Sequence, residues 1–131
     1  MSWPTGGGSA LDLGKAVAAL MTNSGDVYDY LEIVGKGLPI KNKPAPLIAV
    51  PTTSGTGSEC TKNAVLKSSE HGRKASMRHD SMLPTIAVID PCLSVSCPQQ
   101  VVTFLISFLL SPPLHFLPPP SASPVPPIFL R

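Results

Sequence analysis

Charge is scarce in this chain of 131 residues: 14% of positions carry it, 10 Lys and Arg against 8 Asp and Glu, for a net of +2. A balance this close to neutral leaves no basic footprint for a phosphate backbone, so nucleic-acid binding is not expected. Aromatic residues make up only 5%, and the three cysteines, Cys60, Cys92 and Cys97, form an odd set without a CxxC pair. That spacing argues against a disulfide framework or a zinc knuckle, and a reduced intracellular setting is the simpler inference. The first five residues lead straight into a glycine run, with no basic start and no apolar core of a targeting signal, so a cytoplasmic location is expected. Apolar runs are short as well. The ten residues 101–110 fall well below the about 20 needed to span a bilayer, and Pro112 and Pro113 follow them, so no membrane anchor is expected.

The chain changes character near residue 91. Seventeen of its 18 charges precede that point, Arg131 being the exception, while ten of its 16 prolines lie at 91 or beyond. Residues 99–131 are rich in Pro, Leu, Ser and Phe. Pro118 to Pro120 and Pro124 to Pro127 favour polyproline II, and exposed Phe and Leu beside them would be adhesive. The preferred reading is translated non-coding sequence, from a retained intron or a gene-model error, with low order throughout.

Residues 10–22 are rich in strong helix formers and stop at Asn23-Ser24-Gly25. Ser9 is placed to cap that helix, with Asp12 three residues on as in a capping box. A second helix is expected from Asp26, because Val27, Tyr30, Leu31 and Val34 share one helical face, with Gly35 closing it. Residues 47–50 are an apolar run between prolines, suited to a strand buried on both faces. Residues 63–67 and 74–78 read as a hairpin, and 85–89 as a further strand ended by Asp90-Pro91. The order of elements predicts α/β class.

Two glycine-bearing stretches can carry chemistry. Gly6-Gly7-Gly8-Ser9 stands directly before a helix, where bare backbone and first-turn N–H groups suit an anion, although a plain linker reads the same way. The G-x-G-x-x-G fingerprint is absent. Pro51-Thr52-Thr53-Ser54-Gly55-Thr56-Gly57-Ser58-Glu59 opens from a strand into a loop of hydroxyls that can bond phosphate or ribose oxygens, or simply be solvated. Glu59 is a loop acid, a cap partner or an exposed residue, and Cys60 beside it is expected to be a buried, inert thiol.

Three motifs then occur in order: Gly-Gly-Gly-Ser-x-x-Asp-x-x-Lys at 6–15, Pro-Thr-Thr-Ser-Gly-Thr-Gly-Ser-Glu-x-Thr at 51–61 and Ile-Asp-Pro-x-Leu at 89–93. Together they closely resemble the iron-containing (group III) alcohol dehydrogenase family, which includes maleylacetate reductase and hydroxyacid-oxoacid transhydrogenase. The resemblance runs from about residue 4 to residue 98. It implies a partial Rossmann-like nucleotide-binding α/β domain over residues 1–98, followed by the tail at 99–131, with the family's C-terminal helical domain absent. It also implies NAD or NADP as cofactor. Gly7, Gly8 and Ser9 would hold the pyrophosphate, Asp12 would support the turn, and Thr52, Thr53 and Thr56 would line the nicotinamide side. Lys74 would face ribose and phosphates, with a solvated strand lysine as the open alternative, and Leu93 would give an apolar contact.

The family's iron, or another divalent metal, is held by an Asp and a His in a Gly-x-Asp-x-x-x-His segment and by two later histidines. His71, His79 and His115 match none of these positions, so no metal ligands and no catalytic residues are assigned to this chain. The resemblance implies an oxidoreductase fragment that lacks the family's leading strands and is inactive alone. Association with a full-length relative, or no function at all, are the alternatives. A mitochondrial location is also open for the parent family.

Overall fold

The computed structural model describes residues 1–110. Two small sheets share one helix. Strands β1 (Thr5–Gly6), β2 (Ile48–Pro51) and β5 (Ile86–Ala87) run parallel in the order β1-β2-β5, while β3 (Asn63–Ser68) and β4 (Arg73–Arg78) form a separate antiparallel hairpin. The α/β class expected from the sequence is what the chain adopts.

Helix α1 (Gly8–Leu20) lies between the two sheets, and its small residues let it bury two faces. Gly14 abuts β1's approach so closely that a Cβ there would sit 2.5 Å from Pro4 Cβ. On another face Ala16 and Ala19 meet Ala64, Ala75 and Met77 of the hairpin in the main apolar cluster, which Leu31, Ile40 and Met82 complete. Only small side chains permit such close approach of helix and strand on both flanks.

The cap of α1 differs from the sequence expectation. Gly7 is the N-cap, without a side-chain hydrogen bond, and Ser9 lies exposed inside the first turn, so there is no Ser9–Asp12 capping box. Asp12 turns instead to other segments, accepting from Val65 N at 3.0 Å and from Ser58 Oγ, and pairing with Lys15. Several partners outweigh one local backbone donor.

Helix α2 (Val27–Tyr30) is a single turn where the spacing predicts about two. Its start is as expected: Asp26 accepts from Tyr28 N at 2.9 Å and Asp29 returns a bond to Asp26 N at 2.9 Å. It stops at Leu31 because tertiary partners replace the next helical bonds. Leu31 is buried in the main cluster, Glu32 N donates to Ser76 O on β4 at 2.8 Å, and Ile33 takes φ 69° to fold the chain back. Lys36 N then reaches Tyr28 O at 3.0 Å.

In β2, Ala49 and Pro51 are buried and Ile48 and Val50 half-buried, so the strand is only partly enclosed. The hairpin pairs Asn63 with Arg78 through to Ser68 with Arg73, one pair longer than predicted. The last predicted strand shortens to β5, whose two residues are exposed. Asp90 then caps a 3-10 turn, Pro91–Ser94, by accepting from Cys92 N at 2.9 Å.

Residues Gln99–Leu110 form helix α3, in contrast to the low order expected from residue 99 onward. A run of Leu, Ile and Phe satisfies its own backbone bonds as a helix even with Phe104 exposed. The expectations for residues 111–131, His115 and the Pro-rich segment among them, lie outside the described residues. No helix among the described residues is long and apolar enough to cross a membrane.

Candidate functional site

All three parallel strands deliver their carboxyl ends to one edge of the sheet. β1 runs into Gly7 and Gly8, β2 into the hydroxyl loop at 52–57, and β5 toward Asp90-Pro91. In open parallel sheets this edge is where ligands bind. The three sequence motifs, separated by tens of residues, are therefore collected at one place by the strand order.

Gly7 and Gly8 are packed directly against the hydroxyl loop. Thr52 N donates to Gly6 O at 2.9 Å, which ties the two loops together at the strand ends. A Cβ on Gly7 would lie 3.3 Å from Thr53 Oγ1, and one on Gly8 3.2 Å from Thr56 Cβ. The first amides of a helix have no intrahelical partner, and here no side chain at 7 or 8 covers them. A bare helix start of 13 residues with threonine hydroxyls beside it fits a pyrophosphate, which takes both amide donors and the positive end of the helix dipole.

A brace holds the two loops in register. Lys15, 1% exposed, places Nζ 2.7 Å from Asn63 O, 3.0 Å from Thr61 Oγ1 and 3.2 Å from Thr61 O, and 3.0 Å from Asp12 Oδ1. Asp12 in turn accepts from Ser58 Oγ. Asp12 thus acts across to the second loop rather than back on its own helix. Lys15 and Ser58 both stand inside the motifs, yet sequence reasoning gave neither a role; the Asp-x-x-Lys spacing, which places the pair one helical turn apart, was the available signal.

Beside the brace, a cavity of about 340 Å³ opens between the ends of β2 and β5, lined by Thr53, Ser54, Gly55, Glu59, Ile89 and Pro91 among others. Glu59 is half-buried, and its Oε2 is sealed from solvent without a hydrogen-bond partner.

The remaining predicted residues lie further out. Ser9 borders the groove between α1 and β3 with Val65 and Lys67. Lys74 is exposed on β4, directly across from Lys67, on the hairpin face opposite Ala75 and Met77. Leu93, 37% exposed, stands in the 3-10 turn at the cavity's rim, whose wall takes Pro91 and Ser94 from the same turn. Cys60 is exposed, not buried as expected, because the one-turn 3-10 helix Ser58–Cys60 turns Ser58 inward and Cys60 outward.

Iron does not fit the described residues. No three His, Cys, Asp or Glu side chains gather there to hold a metal ion. His71 Nδ1 is bonded to Ser68 Oγ at 3.0 Å and His79 Nδ1 to Ser81 Oγ at 2.7 Å, each within its own turn.

A parallel sheet with a glycine-started helix and a hydroxyl loop at its carboxyl edge defines an α/β unit of the dinucleotide-binding class. Residues 5–91 match the family model described as iron-containing alcohol dehydrogenase. The chain is 46% identical over 93 residues to 4-hydroxybutyrate dehydrogenase of Cupriavidus necator, covering 71% of this chain and 24% of that protein. It is 43% identical over 103 residues to the mitochondrial hydroxyacid-oxoacid transhydrogenase of Caenorhabditis briggsae, covering 76% and 22%. The fold matches crystalline sulfoacetaldehyde reductase from Bifidobacterium kashiwanohense in complex with NAD+, with a TM-score of 0.69 and 38% identity, over 76% of this chain and 26% of that one. The chain belongs to the iron-containing alcohol dehydrogenase family. It spans about a quarter of the length of the curated relatives it matches.

Proposed function

We propose that this chain builds part of the cofactor cradle of a nicotinamide-dependent alcohol dehydrogenase. The observation that carries the reading is the packing of Gly7 and Gly8 against Thr53 and Thr56 at the carboxyl ends of β1 and β2. Gly7, Gly8 and Ser9 receive the pyrophosphate, and Thr52, Thr53 and Thr56 offer hydroxyls to the nicotinamide nucleoside. Asp12 keeps the two loops together, while Lys74 and Leu93 flank the dinucleotide. When bound, the dinucleotide supplies hydride transfer to or from an alcohol/carbonyl pair.

The outcome expected of the full chain is cofactor binding without turnover of substrate. Thermal unfolding of the full chain with millimolar NAD+ or NADP+ tests this. A ligand of the folded state raises the midpoint by mass action, and an unchanged midpoint with both dinucleotides would overturn the reading. Alcohol-dependent NADH formation by the chain alone would overturn its inactivity.

The open edge of the parallel sheet favours a second reading. Ile86, Val88 and Ile89 are 49%, 45% and 65% exposed there, an apolar edge suited to pairing with a full-length relative. Mixing the chain with such an enzyme should then lower its activity in proportion to the amount added.

A further inference from the structure

The turn that follows α2 is strained, and its bonds compete with those of a longer helix. Ile33 has φ 69° and is 87% exposed, so a β-branched residue occupies the left-handed region with little packing to offset the cost. Val34 N donates to Glu32 O at 2.8 Å across it, which closes a γ-turn in its rare, strained hand.

Bonds on either side hold this shape. Glu32 N donates to Ser76 O at 2.8 Å, and Glu32 Oε1 meets Arg78 Nε at 3.1 Å, so the segment is strapped to the outer edge of β4. Further on, Lys36 N donates to Tyr28 O at 3.0 Å and Leu38 N to Asp29 O at 2.8 Å. Those carbonyls are the next two that α2 would use if it continued. Helical bonding takes each N–H to the carbonyl four residues back, so Glu32 N would reach Tyr28 O and Ile33 N would reach Asp29 O. Glu32 N has one hydrogen and cannot serve Ser76 O and Tyr28 O together. The two arrangements therefore exclude each other.

The sequence favours the helical alternative locally. Val27, Tyr30, Leu31 and Val34 share a helical face, and the Asp26–Asp29 capping box is already formed. Glu32 stands four residues before Lys36, the favourable order for a helical ion pair, and Gly35 is placed to end the helix.

We propose that residues 31–38 are a two-state strap: fastened to the edge of β4 as observed, or released as a second turn of α2 with Ile33 in the right-handed region. Release relieves the strain at Ile33, forfeits the bonds to Ser76 and Arg78, and uncovers the edge of β4 at Ser76 O. It is independent of the cofactor-cradle reading.

Carbon-13 saturation-transfer NMR of the full chain tests it in wild type, Ile33→Gly and Ile33→Ala, beside thermal unfolding. The expected wild-type result is a minor state at residues 32–34 with helical carbon shifts, populated on the order of 1%. Glycine adopts φ 69° without penalty and so fastens the strap. In Ile33→Gly the minor population should fall about tenfold, the equivalent of about 1.4 kcal/mol, and the midpoint should rise by about 4 °C. Ile33→Ala removes the same exposed side chain but keeps the backbone cost and gains helix propensity. Its minor state should be at least as populated as in the wild type. Absence of exchange at 32–34, or a minor state with unfolded rather than helical shifts, overturns the strap. A minor population unchanged in Ile33→Gly, or a midpoint that falls in that variant, overturns it as well, since Ile33 would then not be the strained hinge.

Discussion

Lys15 Nζ and Asp12 Oδ1 meet 3.0 Å apart on successive turns of α1, at a place where the Lys15 side chain has no exposed surface. An ammonium withdrawn from water is tolerable only because Thr61 and Asn63 supply further acceptors. Replacing Lys15 by Ala leaves Asp12 without its cation and two backbone carbonyls without a donor. The expected cost is about 3 kcal/mol, typical for breaking a buried pair from one side. Urea denaturation of K15A should show a large fall in midpoint, and an unchanged midpoint would contradict the brace.

Gly8 makes a separate prediction about binding. In Gly8→Val the new Cβ would stand 3.2 Å from Thr56 Cβ, with branches that press on the hydroxyl loop and screen the first amides of α1. Overpacking of this kind costs about 1–3 kcal/mol. NAD+ affinity should fall by about tenfold or more, equivalent to about 1.4 kcal/mol, while the circular dichroism spectrum keeps its helical content. Wild-type affinity in a folded G8V would remove the helix start from the site.

Acid should loosen the chain through two exposed pairs. The Lys36 ammonium, bonded to Asp29 at 2.7 Å, together with the Asp26 backbone, holds the Asp29 carboxyl below its ordinary 3.8. Lys62 does the same to Asp80, first by its hydrogen bond and then by its charge. A lowered folded pKa gives stability that is present above 3.8 and is lost as pH falls through the lower folded value. Thermal midpoints measured from pH 5 downward should therefore drop less steeply in D29N than in the wild type. Both pairs are solvent-facing, so added salt should shrink the difference.

Much of this architecture was legible because local chemistry and final packing agree. Residues 63–67 and 74–78 on either side of a polar loop read as a hairpin, and the strand order carries the three motifs to one edge. What escaped the sequence depended on partners distant in the chain. Val27, Tyr30, Leu31 and Val34 have helical spacing, but Glu32 N finds Ser76 O and the helix ends after one turn. Asp12 three residues after Ser9 has the form of a capping box, yet Ser58, Val65 and Lys15 claim its oxygens. The orphaned oxygen of Glu59 was equally hidden, because burial of a single atom has no signature in residue type.

Helix α1, lying between the two sheets, couples their unfolding. Neither the parallel strands nor the hairpin keeps a core if α1 melts, so the amides of α1 should exchange with solvent only through global opening. The helix is about 20 Å long at about 1.5 Å per residue, and its start lies at the cradle while Ala16 and Ala19 press on the hairpin. A ligand seated at Gly7 and Gly8 would thereby slow exchange in Ala64 and Ala75, residues that it never touches.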